Sequence, residues 1–478
     1  MSKRRFIMQT NFLNTDTICA IATPHGMGAI ATVRVSGTKA FPIVAALFQH
    51  RGKFLEISEI VSHKAYHGHL INKGELLDEV LVTFFKAPHS FTGEDSAEIS
   101  VHGSVFVQQK LLQVLIANGC RMAEAGEFTR RAFVNGKFDL AQAEAIADLI
   151  SSESEAAHRV AINQLRGGFS KELQVLRSKL LEMTSLMELE LDFSEEDVEF
   201  ADRSKLKALL QEALDKVNRL KDSFRLGNAI KNGVPVAIVG QTNTGKSTLL
   251  NALLGEDRAI VSDIAGTTRD TIEETLNVNG ILFRFIDTAG LRETEETIER
   301  IGIERSYRKI AEATVVIGML DATKDTENLL LAAHEILERI DLEHQQLILC
   351  INKVDTLDDQ GEALLGRLRT DLDNDEIMVI CLSAKHKFGL NDLYNTLKHS
   401  QPLSYPDTTL VTNVRHYEAL LRASDSLGQV QQGLEMNIPT DLVSQDLREA
   451  IHYLGTITGE ITTDEVLGSI FSRFCIGK

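Results

Sequence analysis

Residues 240–247 read Gly-Gln-Thr-Asn-Thr-Gly-Lys-Ser, directly after the apolar run Val234-Pro-Val-Ala-Ile-Val239. A predicted strand followed by a glycine-rich loop that ends in Lys-Ser is the pattern of a phosphate-binding loop. The glycines let backbone N–H groups surround phosphates, and the following helix directs its positive end at them. The alternative is a chance match in a glycine-containing turn. The strand–loop–helix context favours nucleotide binding.

Three further motifs follow predicted strands, at Asp287-Thr-Ala-Gly290, Asn352-Lys-Val-Asp355 and Ser383-Ala-Lys385. The carboxylate of Asp355 can accept both hydrogens on the N1 and N2 edge of guanine, a pairing that adenine does not offer. Because open α/β sheets bind ligands at the carboxyl ends of their strands, the ordered motifs predict GTP as the ligand. The predicted GTP-binding residues are Asn243, Thr244, Gly245, Lys246, Ser247, Thr248, Ser262, Asp263, Ile264, Ala265, Gly266, Thr267, Thr268, Asp287, Thr288, Ala289, Gly290, Asn352, Lys353, Asp355, Ser383, Ala384 and Lys385.

The hydrolytic groups are predicted from the same region. Lys246 is expected to act on the β- and γ-phosphates and the Ser247 hydroxyl to ligate Mg²⁺. Leu291 occupies the position where small signalling GTPases carry a water-orienting glutamine, and leucine cannot orient water. Another group must therefore place the water, and another cation must offset the charge of the transition state. The candidates by position, each with a solvated surface as the alternative, are Arg269, Arg292 and Glu299.

The region before the phosphate-binding loop divides into a β-rich part and a helical part. Runs rich in β-branched and aromatic residues predict strands over Ala29–Val35 and Glu79–Phe85. A helix is predicted over Val105–Ala117, so this first part is interpreted as an α+β domain. From about Leu140 to Leu226 apolar residues recur at three- and four-residue steps, which predicts a helical bundle.

From Val234 to about Leu397 apolar strands alternate with helical segments, which is typical of a parallel α/β sheet. Pro402 and Pro406 bracket a predicted linker, after which Thr462 is the predicted N-cap of a helix with Glu465 as its capping-box partner. Because helices flank the α/β block on both sides, the block is interpreted as an insertion into a helical domain; two separate helical domains are the alternative. The predicted strands are Val234–Val239, Leu282–Ile286, Thr314–Leu320, Leu347–Ile351 and Ile377–Cys381.

Composition and charge narrow the class of protein. The length of 478 residues suggests about three domains, and 43% hydrophobic residues suffice for buried cores. A net charge of -18 repels nucleic acid, so an RNA partner must meet a specific surface. The five cysteines form no CxxC pair, which favours a reducing compartment over a disulfide or zinc framework. With no signal-peptide pattern and no apolar run of ~18 residues, we expect a cytoplasmic protein that does not interact with membranes.

Stretches outside the nucleotide motifs carry a family resemblance over nearly the whole chain. The most specific are Asp139-Leu-Ala-Gln-Ala-Glu-Ala-Ile-Ala-Asp148 and the terminal Phe474-Cys-Ile-Gly-Lys478. The others are Ala22–Pro24, Arg34–Gly37, Ala87–Asp95, His102–Gly103, Gly126–Phe133 and Ile264–Asp270. Together they resemble the MnmE (TrmE) family of tRNA modification GTPases. Met27 and Ser104 depart from the family, where a basic residue and a second glycine are usual.

The resemblance agrees with the organisation above and implies a multidomain α/β and α+β protein. Residues 1–136 would form an N-terminal α+β domain that binds tetrahydrofolate and dimerises the protein. Residues 137–230 and 401–478 would form a helical bundle domain, and residues 231–400 an inserted Ras-like P-loop GTPase domain with a mostly parallel sheet.

The resemblance also implies an activity and partners. The family acts as a homodimer in a heterotetramer-type complex with the flavoprotein MnmG. The complex adds carboxymethylaminomethyl or aminomethyl groups at carbon 5 of the wobble uridine of certain tRNAs. The implied cofactors are GTP, Mg²⁺, K⁺ and 5,10-methylenetetrahydrofolate, with 5-formyltetrahydrofolate as an analogue; FAD and NADH would be bound by MnmG.

Site residues are carried over from the family by position. The implied folate contacts are Arg34, Glu98, Lys137 and Lys478, with surface ion pairs as the alternative. The implied K⁺ ligands are Asn243, Ser262, Ile264 and Thr267, the Mg²⁺ ligands Ser247 and Thr268, and the water-orienting acid Glu299. Cys475 is a further catalytic candidate because a nearby Lys478 would favour its thiolate; an inert packed cysteine is the alternative.

Two other classes of GTPase share the nucleotide motifs. A ribosome-assembly or RNA-binding GTPase usually appends a basic RNA-binding module, whereas the tail from Thr440 to Lys478 is short, helical and not strongly basic. A membrane-remodelling GTPase would need an amphipathic basic helix or an anchor, and neither pattern occurs in the sequence.

Overall fold

The computed structural model describes residues 16–192, 203–257, 274–278, 280–286, 311–357, 362–372, 374, 377–400, 409–436, 438–472, 474 and 476–477. The chain divides into two compact units. The first comprises Met1–Ala147, Leu165–Arg177 and Ile451–Lys478, and the second comprises Asp148–Gln164 and Ser178–Ala450.

The helices are, in chain order, α1 Ala40–Leu47, α2 Val105–Ala117, α3 Glu127–Val134, α4 Leu140–Ile150, α5 Glu155–Leu165, α6 Gly168–Asp192, α7 Arg203–Asp222, α8 Phe224–Asn232, α9 Lys246–Asp257, α10 Thr326–Leu337, α11 Glu362–Leu372, α12 Leu390–His399, α13 Val414–Glu435, α14 Thr440–Thr458 and α15 Asp464–Phe471. Short 3₁₀ helices cover Ile57–Glu59 and Val354–Thr356. The predicted helix over Val105–Ala117 is confirmed as α2.

A mostly antiparallel sheet forms the first unit. Its strands are β1 Thr17–Ile21, β2 Ile30–Ser36, β3 Phe48–His50, β4 Lys53–Phe54, β5 Ala65–Asn72, β6 Glu75–Phe85, β7 Ser96–His102 and β8 Cys120–Met122. Their spatial order is β4-β3-β5-β6-β7-β2-β1-β8, with only β1 and β8 parallel. The predicted strands over Ala29–Val35 and Glu79–Phe85 are confirmed as β2 and β6.

Helices α1 and α2 cover one face of this sheet. Because successive side chains of a strand point to opposite faces, Val33 and Val35 of β2 are buried while Arg34 lies half-buried on the other face. The buried side of β2 packs in one core with Val44 of α1 and Leu115 of α2. Polar side chains are thus carried on the face opposite α1 and α2.

Helix α15 begins one residue later than predicted. Thr463, rather than Thr462, is the N-cap, and its hydroxyl accepts a hydrogen bond from the N–H of Val466 at 3.4 Å. The backbone stays extended through Thr463 (φ −111°, ψ 158°), so the first helical residue is Asp464. Glu465 therefore occupies the second helical position instead of the third, and the predicted capping box is wrong.

The second unit contains a mostly parallel sheet. Its strands are β9 Val234–Gly240, β10 Glu274–Val278, β11 Ile281–Phe285, β12 Val315–Asp321, β13 Gln346–Asn352 and β14 Met378–Cys381. The order is β10-β11-β9-β12-β13-β14, and only the hairpin of β10 and β11 is antiparallel. All five predicted strands are confirmed to within a residue or two at each end, whereas β10 was not predicted.

Helices cover both faces of the parallel sheet. Leu249 of α9 and Leu393 of α12 pack in the core on one face. On the other face Leu329 of α10 and Leu368 of α11 belong to the same core as Val316 of β12. With both faces covered, the strand ends are the accessible parts of this sheet.

Helical segments from before and after the sheet pack on each other within the second unit. Helix α13 lies along α7, where Ser424 donates a hydrogen bond to Asn218 at 2.8 Å. The apolar stripe that the sequence predicts for this helix consists of Leu206, Leu209, Leu210, Ala213, Leu214, Val217 and Leu220; all are buried except Leu209, which is half-buried. The predicted fold class of an α+β domain, a helical domain and an inserted P-loop domain is confirmed. The boundaries at 136, 230 and 400 stay predictions, and the Pro402–Pro406 linker lies outside the described residues.

Among the described residues, no helix combines the length and the apolar character that a membrane span requires.

Candidate functional site

The phosphate-binding loop connects the end of β9 to the start of α9. Gly240 (φ +145°) and Gly245 (φ +97°) adopt conformations that favour glycine, and Asn243 (φ +62°) occupies the left-handed region that asparagine tolerates. A Cβ at Gly240 would lie 2.5 Å from the Met319 carbonyl oxygen, and one at Gly245 would lie 2.3 Å from Asn352 Nδ2. The loop conformation therefore requires both glycines.

Lys246 begins α9 and turns back over the loop. Its Nζ donates hydrogen bonds to the carbonyl oxygens of Gly240 at 2.9 Å and Gln241 at 2.7 Å. Ser247 and Thr248 follow in the first helical turn, where backbone N–H groups have no partner within the helix. Positive charge and free donors thus meet at this end of α9, which suits an anionic ligand.

Asn352 connects three of the predicted motifs. It is buried at the end of β13, where its Nδ2 donates to the Thr244 carbonyl oxygen at 2.8 Å. Its Oδ1 accepts a hydrogen bond from the Ala384 N–H at 3.0 Å. One side chain therefore holds the phosphate-binding loop against the segment after β14.

Asp355 lies beside that junction as an ionised acceptor. The Ser383 hydroxyl next to its carboxyl, assisted by the positive charge of Lys385, holds the pKa of Asp355 below its ordinary value. His386 Nε2 lies 3.6 Å from its Oδ2. A carboxylate fixed in the charged state can accept hydrogen bonds from two donors on one ligand edge.

Asp321 was not predicted, although it lies at the same edge of the sheet. Lys353 Nζ lies 2.7 Å from Asp321 Oδ2, and the N–H and hydroxyl of Thr323 donate to Oδ1 at 3.1 and 2.8 Å. Burial alone would raise the pKa of Asp321, but these hydrogen bonds outweigh it and lower the pKa. The sequence signal that could have identified Asp321 is an acidic residue at the end of a predicted strand.

Arg34 and Glu98, two of the predicted folate contacts, face each other across β2 and β7. The nearest guanidinium and carboxylate atoms are 2.9 Å apart, and the guanidinium lies over the Phe91 ring at 4.8 Å. Their side chains are 18% and 31% exposed, so both stay within reach of a ligand. The pair is partly buried rather than a fully exposed surface ion pair.

Lys137, the third predicted folate contact, lies along the loop that contains Phe91. Its Nζ donates to the Pro88 carbonyl oxygen at 2.9 Å. Its stem lies beside Gly93, where a Cβ would be 3.4 Å from Lys137 Cδ. The loop at 88–93 thus touches both Lys137 and Arg34.

Sequence reasoning did not identify a buried charge network behind this loop. Glu127 is 1% exposed, and its carboxylate accepts from Arg121 at 2.7 Å and from Arg131 at 2.9 Å. Arg131 also contacts Asp16 and Glu94. Burial would raise the pKa of Glu127, but the hydrogen bonds from Arg121 and Arg131 outweigh it and lower the pKa.

The described part of the C-terminal tail lies against the first sheet. Ile476 forms a β-bridge with Ala125, and Phe474 is buried with Phe471. Gly477 (φ +100°) is so close to β1 that a Cβ would lie 2.1 Å from the Ile21 carbonyl oxygen. The tail segment that contains these residues therefore docks within the first unit.

The other predicted site residues lie outside the described residues. They are Ser262, Asp263, Ile264, Ala265, Gly266, Thr267, Thr268, Arg269, Asp287, Thr288, Ala289, Gly290, Arg292, Glu299, Cys475 and Lys478.

Comparison with known proteins extends over nearly the whole chain. Two family models match: the GTP-binding protein TrmE N-terminus over residues 17–137 and the MnmE helical domain over residues 140–475. The tRNA modification GTPase MnmE of Bacteroides fragilis is 53% identical over 468 residues, 98% of this chain and 100% of that protein. The tRNA modification GTPase MnmE of Flavobacterium johnsoniae is 50% identical over 476 residues, with the same coverage of 98% and 100%.

Among solved structures, Aquifex aeolicus Era bound to GDP·AlF₄⁻ is 28% identical over 40% of this chain and 66% of that chain. Its TM-score of 0.28 is too low to support a conclusion.

Proposed function

Because this chain belongs to the MnmE family of tRNA modification GTPases, we propose that it couples GTP hydrolysis to modification of the tRNA wobble uridine together with MnmG. The product would carry an aminomethyl or carboxymethylaminomethyl group at carbon 5. The family membership supports the modification, and the observation that carries the GTP-binding part of the proposal is the position of Asn352, which joins the phosphate-binding loop to the segment beside the ionised Asp355. Phosphate and base recognition thereby meet at one end of the parallel sheet.

In this proposal the described residues divide the nucleotide between them. Backbone N–H groups of the loop at 240–245 and the Lys246 ammonium bind the phosphates, and Asp355 binds the N1 and N2 edge of guanine. During hydrolysis the Lys246 charge offsets negative charge that develops on the phosphates. Glu299 would orient the attacking water.

The described residues also fit the implied metal ions. Mg²⁺ prefers hard oxygen ligands, and the Ser247 hydroxyl lies in the first turn of α9, next to Lys246. Asn243 has a left-handed backbone conformation within the loop. Its side-chain amide oxygen is a suitable ligand for K⁺. When bound, the two cations would supply positive charge that offsets the negative charge of the phosphates in the transition state.

The first unit fits a reduced folate with a glutamate tail. Lys137 offers a cation for carboxylates or carbonyls, and Glu98 offers acceptor oxygens for pterin N–H donors while Arg34 keeps it in place. The folate would supply a one-carbon unit, with FAD and NADH bound by MnmG. Cys475 and Lys478 would act from the tail, whose neighbouring residues dock in this unit, and a homodimer would bring two such sites together.

Mass analysis of wobble uridines tests the proposal. Cells that lack the protein are expected to lose the modified nucleosides, and the wild-type gene is expected to restore them. An Asp355→Asn variant tests whether guanine recognition is needed for that restoration. Unchanged modification, accompanied by an accumulation of unassembled ribosomal subunits, would instead favour a ribosome-assembly GTPase.

A further inference from the structure

Asp321 ends strand β12 beside the proposed guanine site. In the parallel register it is paired with Asn352, and the next residue, Ala322, donates its N–H to the Asn352 carbonyl oxygen at 2.9 Å. The side chain of Asp321 is 11% exposed. A carboxylate this well buried needs partners for both oxygens.

The two carboxylate oxygens of Asp321 have separate partners. Oδ1 accepts from the N–H and the hydroxyl of Thr323, which fixes the carboxylate within its own turn. Oδ2 is left to accept from Lys353 Nζ at 2.7 Å. The geometry therefore presents a prepositioned anion to the ammonium of Lys353.

Lys353 lies between the two residues that shape the base site. It follows Asn352 and precedes Asp355 by two residues, and its left-handed backbone (φ +68°) starts the short helix that carries Asp355. Its side chain remains 36% exposed although the ammonium is held. The methylene stem of such a lysine is an apolar surface, and it lies two residues before the carboxylate proposed to read the base edge.

We propose that Asp321 is a positioning residue for guanine binding, which anchors the Lys353 ammonium so that the lysine stem is held against one face of the base. The proposal rests on the guanine site proposed for Asp355 and adds a second element to it. An unanchored lysine stem would lose rotamer freedom on binding, and a stem that is already fixed avoids that loss. Asp355 then reads the base edge while Asp321 acts on the base face through Lys353.

A double-mutant cycle with nucleotide affinity as the readout tests this role. In the full chain, Asp321→Asn is expected to raise the Kd for GTP about tenfold. The Kd for inosine triphosphate should rise by the same factor, because inosine lacks the 2-amino group but keeps the same ring faces. Asp325→Asn is the matched control: Asp325 lies four residues further on, caps α10 and accepts from Asn328, and its replacement should leave both affinities unchanged.

The Lys353→Met background separates positioning from a structural role. Methionine keeps an apolar stem but has no ammonium, so Lys353→Met should weaken GTP binding about tenfold, and adding Asp321→Asn should change Kd less than about twofold further. An equal loss from Asp321→Asn in both backgrounds would overturn the proposal, because Asp321 would then act through its own turn. If the Asp321→Asn variant does not melt cooperatively, the Lys353→Met single variant decides the question. Unchanged GTP affinity in Lys353→Met would then overturn the proposal.

A third variant separates failure of this inference from failure of the guanine site. Asp355→Asn should move the preference from GTP towards xanthosine triphosphate, whose C2 carbonyl can accept a hydrogen bond from the asparagine amide. If that preference does not move, the guanine-edge assignment is wrong. If it moves while the cycle shows no coupling between Asp321 and Lys353, only the positioning role is wrong.

Discussion

The two sheets of this protein present functional groups in different ways. The parallel sheet is covered by helices on both faces, and its candidate residues Gly240, Asp321 and Asn352 are the last residues of β9, β12 and β13. The antiparallel sheet has α1 and α2 on one face, and Arg34 and Glu98 project from inside β2 and β7 on the other. One site is built from strand ends and the other from a strand face.

This difference determines what each site depends on. At a strand end, several functional groups can lie in one short loop, and their geometry depends on local backbone conformation. On a strand face, groups that meet are far apart in the chain, as Arg34 and Glu98 are at 64 positions apart, and they meet through register. The strand-end site should therefore be sensitive to substitutions that change the backbone conformation. The strand-face site should be sensitive to loss of the interactions that hold the strands and helices together.

The largest effect is expected from the charge network behind the strand-face site. Glu127→Gln is predicted to lower the free energy of unfolding by about 3 kcal/mol, because it removes the buried anion that pairs with both Arg121 and Arg131 and leaves the more exposed Asp16 and Glu94 to balance their charge. Urea unfolding of the full chain at neutral pH, followed by circular dichroism, measures the change. Glu124→Gln is the matched control, since Glu124 is 66% exposed and its pair with Arg130 should contribute less than about 1 kcal/mol. Equal effects of the two variants would show that the buried network does not stabilise this region.

The pH dependence of Glu127 has a definite sign. Its pKa in the folded protein is lowered from an ordinary value of 4.5, so the folded state binds fewer protons than the unfolded state around that pH. The stabilisation is therefore fully present above pH 4.5 and is lost as the pH falls through the folded pKa. The difference in stability between wild type and Glu127→Gln should narrow over that acidic range.

The next effect is expected at the strand-end site. Gly245→Ala is predicted to weaken GTP binding about a hundredfold, because the new Cβ would meet Asn352 Nδ2 at 2.3 Å and the backbone has φ +97°. Equilibrium titration with a fluorescent GTP analogue measures the loss. Gly255→Ala is the matched control within α9, where a Cβ meets nothing within 4 Å and alanine favours the helix. Retention of wild-type affinity in Gly245→Ala would show that the loop can bind phosphates in another conformation.

The same difference explains what could be predicted from sequence. The strands of the parallel sheet and the motifs after β9, β13 and β14 were predicted because each is a contiguous run. Asp321 was missed because its role depends on the register of β12 with β13, which places it beside Asn352. Strand β10 was missed because its residues, Glu-Thr-Leu-Asn-Val, alternate polar and apolar over too short a stretch.

In the first unit the fold was predictable from residue patterns but the site was not. Strand alternation and the α2 pattern predicted an α+β domain, whereas Arg34, Glu98 and Lys137 were named only through family resemblance. The network of Glu127, Arg121 and Arg131 was not predicted, because sequence alone does not separate a buried charge from a solvated one. The incorrect N-cap at Thr462 has a local cause: two adjacent threonines can each cap a helix, and the extended backbone of Thr463 selects the second.

A smaller effect is expected from a change in the ions bound at the loop of the strand-end site. Hydrolysis of GTP is expected to be at least about tenfold faster in K⁺ than in Na⁺ at equal ionic strength, since a K⁺ ion held at Asn243 would offset the charge that develops on the phosphates in the transition state. Asn243→Ala should lose this difference, because Asn243 would provide an oxygen ligand from within the loop. Equal rates in the two salts, or an Asn243→Ala variant that keeps its K⁺ response, would remove the cation from the mechanism.

The smallest effect is expected on the strand face, where Glu98→Ala tests the folate site. Affinity for 5-formyltetrahydrofolate should fall about tenfold, because the variant loses an acceptor for pterin N–H donors and leaves Arg34 without its partner at 2.9 Å. Isothermal titration calorimetry on the full chain gives the Kd.

Glu79→Ala is the matched control. Glu79 pairs with His67 on the adjacent strand and has 55% of its side chain exposed, so its loss should not change the affinity for folate. An exposed ion pair contributes under ~0.5 kcal/mol, or about a twofold change. A Glu98→Ala affinity within twofold of wild type would therefore mean that Arg34 and Glu98 bind each other rather than folate.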